Sequence, residues 1–143
     1  MMKQIPKTEN TLVLRTDFTD EKTWKDICQT ISTAVKIDDT TEFKAYVDFV
    51  SDPAFDGLEQ DEILSSLPDE QGHFIMFVVD TVAIKKPNHP LLCIDLTDGK
   101  GKNFRVVASE VQGVENNLSV GNFCFDELAE LVDEDGVFQG IEI

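Results

Sequence analysis

Six consecutive apolar residues, Phe74-Ile75-Met76-Phe77-Val78-Val79, constrain this chain more than any other stretch of it. A strand exposed on one face alternates polar and apolar side chains. An unbroken run therefore predicts a strand covered on both faces, at the centre of a sheet. The run is far too short to cross a bilayer. Something must lie over each face, and the flanking segments supply it.

Thr11 to Thr16 is a short β-rich run, followed by cap candidates and first-turn acids between Asp17 and Glu21. Trp24, Ile27, Cys28, Ile31 and Val35 then recur on one helical stripe, which makes Cys28 a core residue. Phe43, Ala45, Val47 and Phe49 alternate with Lys44, Tyr46 and Asp48, as in a half-buried strand. Asp52 to Gly57 is turn chemistry, and Leu58 to Leu67 reads as a short helix with an acidic exposed face, ended by Pro68. Beyond the central run, Leu91 to Leu96 and Phe104 to Val107 predict an antiparallel hairpin around the turn-forming Asp98-Gly99-Lys100-Gly101-Lys102. Residues 109–123 are irregular, and Phe125, Leu128, Ala129 and Val132 mark a last helix. The order β-α-β-α-β-β-β-α predicts an α/β or α+β fold. It has a mixed sheet of about five strands, three of them roughly parallel through right-handed crossovers, flanked by about three helices. The 143 residues are expected to form one domain, 1–143, with no repeat and no long linker.

Twelve basic against 28 acidic residues give a net charge of -16, a field that repels nucleic acid and anionic membranes, so direct binding to either is not expected. All 12 bases lie at or before Arg105, whereas nine acids lie beyond it, so the excess is concentrated in the last quarter. Cys28, Cys93 and Cys124 cannot all pair, and none sits in a C-x-x-C spacing, which fits reduced thiols. The first residues lack an apolar signal region, and a cytoplasmic location is expected.

Several motifs invite a chemical reading. Aligning Gly136 with the sixth position of a calcium loop puts Asp133, Asp135 and Glu142 at ligand positions, but the first ligand would be Leu131, which offers no oxygen. An acidic helix end running into a glycine turn explains the same residues. Asp17 and Asp80 follow two strands expected to be parallel, and would share the carboxyl edge where open α/β sheets bind ligands. There they could hold Mg²⁺ or act as acid and base, or else simply cap helices. The Arg15-Thr16-Asp17-Phe18 sequence lacks the adjacent acids of a phospho-receiver. His89 and Cys93 are a possible base and nucleophile, yet Cys93 falls inside a strand and His89 in Pro87-Asn88-His89-Pro90, a rigid loop. No phosphate loop, dinucleotide fingerprint, hydrolase elbow or zinc spacing occurs. Phe43, Tyr46, Phe49, Phe55 and Leu58 have the spacing of core residues. No cofactor is expected.

The segments Thr8 to Phe18, Tyr46 to Phe49 with Asp52 to Phe55, His89 to Leu92, and above all Val114-Glu115-Asn116-Asn117-Leu118-Ser119-Val120 leading into Asp135 to Phe138 are together similar to an uncharacterised bacterial domain family of unknown function. The resemblance runs over nearly the full length. It implies bacterial origin and one domain, and it assigns no catalytic residue. Within it, Glu115 to Ser119 has the composition of a structural turn or of a binding loop.

The function expected from these residues is non-enzymatic: an acidic protein that docks a basic protein partner, immunity- or inhibitor-like, through Glu127, Glu130, Asp133, Glu134 and Asp135. A solvated face that keeps the protein soluble accounts for the same five residues. The alternative is a small enzyme or metal-dependent ligand binder using Asp17 and Asp80, with Asp48 or Asp95, at the sheet edge.

Overall fold

The computed structural model describes residues 4–33, 35–36, 42–43, 47–68, 73–97, 101–119 and 125–139. The central run forms β5 (Ile75–Val79), in which all five residues are buried. Phe74, expected in the same strand, lies one residue before it and is 62% exposed, its carbonyl accepting from Leu96 N–H at 2.9 Å. β1 (Thr11–Arg15) pairs parallel with β5 on one side and with β4 (Val47–Val50) on the other. The hairpin of β6 (Pro90–Asp95) and β7 (Asn103–Val107) joins β5 antiparallel, and β8 (Val137–Phe138) closes the far edge parallel to β7. The strand order is β4-β1-β5-β6-β7-β8.

The two faces of the sheet hold separate cores, because alternate residues of a strand point to opposite sides. Phe49, Val13, Phe77, Cys93 and Phe104 form one cross-sheet row. This row is covered by Trp24, Ile27 and Ile31 of α1 (Glu21–Ser32), by Val111 and Val114 of α4 (Val111–Ser119), and by Phe125 and Leu128 of α5 (Phe125–Ala129). The adjacent row is Val50, Leu14, Val78, Leu92 and Arg105. Its strands β1 and β5 pack under Phe55, Ile63 of α2 (Gln60–Ser66) and Ile5. The connections thus put helices on both faces, as parallel strands require.

α1 starts at Asp20, whose carboxylate accepts from Thr23 N–H at 3.0 Å, so the helix cap is Asp20 and not Asp17. Arg15, at the end of β1, is buried against α1. Its Nη1 reaches Glu21 at 2.8 Å and its Nε the Asp17 carbonyl at 3.0 Å, while the guanidinium lies over Phe18 and Trp24.

The α+β class and the order of the eight expected elements hold, and the differences are additions. Among the described residues the main sheet has six strands and not five, and β2 (Val35–Lys36) with β3 (Glu42–Phe43) makes a separate two-stranded ribbon. The helical stripe accordingly stops at Ser32, before Val35. The Phe43 to Phe49 alternation splits into Glu42–Phe43 and Val47–Val50, with residues 44–46 outside the described part. Five α-helices are described where about three were expected, the extra ones being α3 (Thr81–Lys85) and α4. Elements of two or five residues are too short to show a period. Residues 109–119 are helical, a 3₁₀ turn (Ala108–Glu110) running into α4, so Glu115 to Ser119 is neither a turn nor a loop. Gly113, Asn116 and Asn117 are weak helix formers, and burial of Val111, Val114 and Leu118 at helical spacing outweighs them.

Ile27→Ala, at the fully buried centre of the α1 stripe, should lower the unfolding free energy by about 2–5 kcal/mol in urea titration. Lys25→Ala, on the exposed side of the same helix, should stay within about 0.5 kcal/mol of the parent.

Candidate functional site

Ile63 of α2 packs in the core of the second face with Leu12, Leu14, Met76, Val78 and Ile94, and on β7 this face carries polar side chains. In β7, Phe104 and Val106 enter the first core, while Asn103 and Arg105 point to the other side. Between this side of β7 and the start of α2 lies a cleft of about 750 Å³, within the usual range of about 300–1,000 Å³ for ligand sites. Ile63, Val78 and Leu92 give it an apolar floor.

One wall is the entry to α2. Asp52 caps a 3₁₀ turn (Pro53–Phe55) by accepting from Ala54 N–H at 2.9 Å, and buried Phe55 anchors it. Gly57, at φ +76°, then donates its N–H to the Thr16 carbonyl at 2.8 Å, pinning the loop to the end of β1. Glu59 and Gln60 follow on the cleft wall. Gln60 is held to the hairpin at both ends of its amide: Nε2 donates to the Gly101 carbonyl at 2.7 Å, and Oε1 accepts from Asn103 at 2.6 Å.

The carboxyl edge of the sheet is tied by Asp80. It caps α3 by accepting from Ala83 N–H at 3.1 Å, and it takes Arg105 end-on, with Nη1 to Oδ1 at 3.0 Å and Nη2 to Oδ2 at 2.8 Å. Arg105 Nη1 also donates to the Pro90 carbonyl at 3.0 Å, so one side chain joins β7 to the ends of β5 and β6. Asp80 and Arg105 both line the cleft.

Asp17 stands beside this edge without lining the cleft. It accepts from Thr19 N–H at 2.8 Å, from the Thr19 hydroxyl, and from the Thr81 hydroxyl at 2.7 Å, which joins it to the residue after Asp80. Burial pushes its carboxyl upward, but the Thr19 and Thr81 bonds and the Lys85 charge outweigh that and hold it below the usual carboxylate value. The structure thus brings Asp17 and Asp80 to one edge, each engaged with its own partners. Asp48 and Asp95 do not join them. Asp48 accepts from Asn10 on the β4 edge, and Asp95, paired with Ile75 at the opposite end of β5, accepts from Thr97. Among the described residues, no three His, Cys, Asp or Glu side chains converge into a set that could hold a metal ion.

The acidic residues of the C-terminal part divide. Glu127 and Glu130 are exposed on and just after α5, and Glu134 is exposed in the following turn. Asp133 is used locally: its Oδ1 accepts from Asp135 N–H at 2.9 Å and Val137 N–H at 3.1 Å, and Oδ2 accepts from Gln139 at 3.1 Å. Those bonds, the one from Val137 foremost, keep its carboxyl low. With Gly136 at φ +79°, they turn the chain into β8. The calcium-loop pattern is thus an acidic glycine turn, Glu142 lying outside the described residues. Asp135, alone of the five, lines the cleft.

His89 Nδ1 donates to the Ala83 carbonyl at 2.9 Å, and Asn88 and His89 both have positive φ in the loop leading to β6. Cys93 is fully buried, which pushes its thiol far up, and half-burial pushes Cys28 up to about 11. Neither is a thiolate near neutral pH. Both are free thiols. His73 Nε2 donates to the Thr8 carbonyl at 2.9 Å.

Glu59, Gln60, Asn103 and Arg105 were not singled out by the sequence. The available signal was the alternation Asn103-Phe104-Arg105-Val106, which puts two polar side chains on one side of the strand.

The molecule is therefore an α+β domain with an open, mostly polar cleft where β5, β6 and β7 meet the entry to α2. It belongs to the family described as domain of unknown function DUF6924, whose model matches residues 10–141. No curated protein matches the chain. No helix among the described residues is long and apolar enough to cross a membrane.

Because the native Asp17 carboxyl is held below its ordinary value of 3.8, the stability it contributes is complete above that value. It is lost as pH falls from there through the lower native value. Asp17→Asn should remove this part of the acid dependence, seen as a flatter fall of urea midpoint between about pH 5 and pH 2.

Proposed function

We propose that this protein is a non-enzymatic binding protein, immunity- or inhibitor-like, that receives a basic segment of a protein partner in the acidic cleft. One observation carries the reading. Of the ionisable side chains lining the cleft among the described residues, Glu59, Asp80 and Asp135 are acidic and Arg105 is basic, and Arg105 is already neutralised by Asp80. The charge left for a ligand is that of Glu59 and Asp135, which favours a cation. Around the cleft, the net charge of -16 speeds encounter with a basic partner and opposes nucleic acid and anionic membranes. Glu127, Glu130, Asp133 and Glu134 contribute to this outer field, and Asp135 to the contact itself. A cytoplasmic, bacterial setting with reduced thiols suits such a protein.

The test is titration of a fluorescent N-acetylated tetralysine peptide, at low and at moderate salt. Glu59→Gln with Asp135→Asn should weaken binding several-fold beyond the loss that added salt causes, because a charge at the contact is screened less than one outside it. Alanine at Glu127, Glu130 and Glu134 should slow association and leave dissociation nearly unchanged. Binding that ignores Glu59 and Asp135 would remove the cleft from the interface.

A further inference from the structure

Arg105 does more than balance Asp80. A guanidinium carries five N–H groups in a fixed planar fork. Three are spent here: one on each Nη goes end-on to Asp80, and the second of Nη1 goes to the Pro90 carbonyl. Nε–H and the second N–H of Nη2 remain, and no described residue accepts from either. These two lie parallel on one side of the group, the geometry that matches both oxygens of a carboxylate. Asp80 holds the guanidinium in place and is itself fixed as the cap of α3, so this side fork is preorganised in a cleft-lining residue.

An unspent carboxylate receptor stands in the same cleft as the uncompensated acids Glu59 and Asp135. Resting on the reading of the cleft as a cation-binding site, we infer that the ligand is a carboxylate with a cationic group beside it. Arg105 receives the carboxylate side-on, and Glu59 and Asp135 receive the cation. The C-terminus of a lysine- or arginine-rich chain has this chemistry, as does a free basic amino acid. Capture of a terminal carboxylate by fixed donors is an established mode of peptide recognition.

Wild-type protein distinguishes the alternatives by the sign of one difference. N-acetyl tetralysine ending in a free carboxylate is compared with the same peptide ending in an amide. The amide carries one more net positive charge, so attraction to acids alone makes it the tighter ligand. The side fork of Arg105 makes the free acid tighter, and we expect roughly tenfold. Arg105→Lys keeps the charge but has no fork, and should bring the ratio to one or reverse it. The amide binding as tightly as the acid, or more tightly, with both still weakened by Glu59→Gln and Asp135→Asn, overturns the carboxylate inference and leaves the cation site standing. Neither peptide binding overturns both. Free lysine competing as well as the acid peptide retains the chemistry and moves its source from a chain end to a free amino acid. Should Arg105→Lys fail to fold, the wild-type acid-to-amide ratio still decides.

Discussion

Five successive buried side chains without a polar atom, Ile75–Val79, need hydrogen-bonded neighbours on both edges and an apolar layer over both faces. Everything else in the fold answers that need. β1 and β6 supply the edges, one parallel and one antiparallel. Ile75, Phe77 and Val79 enter the core under α1, α4 and α5, while Met76 and Val78 enter the one under α2 and the N-terminal segment. A residue buried in this way contributes about 1.5–3 kcal/mol, so a strand buried twice over is the natural centre of the molecule.

The two coverings are unequal, and that inequality makes the cleft. Four helices, α1, α3, α4 and α5, contribute to the first core, whereas among the described residues the second is covered by the seven-residue α2, the Pro53–Phe55 turn and the N-terminal segment. The row Val78, Leu92, Arg105 lines the cleft beside the start of α2. Asn103 and Arg105 make the β7 side of the cleft polar, beside the apolar Val78 and Leu92. Hydrogen bonds then set its shape: Gln60 to the hairpin, the Gly57 N–H to the end of β1, and Arg105 to Asp80 and Pro90.

A related economy governs the carboxyl edge. Asp17, Asp20, Asp52 and Asp80 each turn a strand or loop into the next element by accepting backbone N–H groups. Asp133 does the same before β8. Much of the acidity of this protein is thus turn and cap chemistry. Glu59 and Asp135 line the cleft and add negative charge to it.

The sequence by itself determined the double-sided central strand, the α1 stripe, the β6–β7 hairpin and the order of the larger elements. Each is written in local periodicity or turn residues, and these follow from the geometry of one helix or strand. It also placed Asp17 and Asp80 at one edge, since parallel neighbours share their ends. Only the tertiary structure decided the rest. α4 forms through Gly113, Asn116 and Asn117 because burial of Val111, Val114 and Leu118 outweighs weak propensity. β8 exists because β7 offers an open edge to two residues with no pattern of their own. The cleft joins Glu59, Asp80, Arg105 and Asp135 from four separate segments. Such a meeting depends on how a short helix seats against the sheet and the hairpin, a balance of lengths and packing that no single segment encodes.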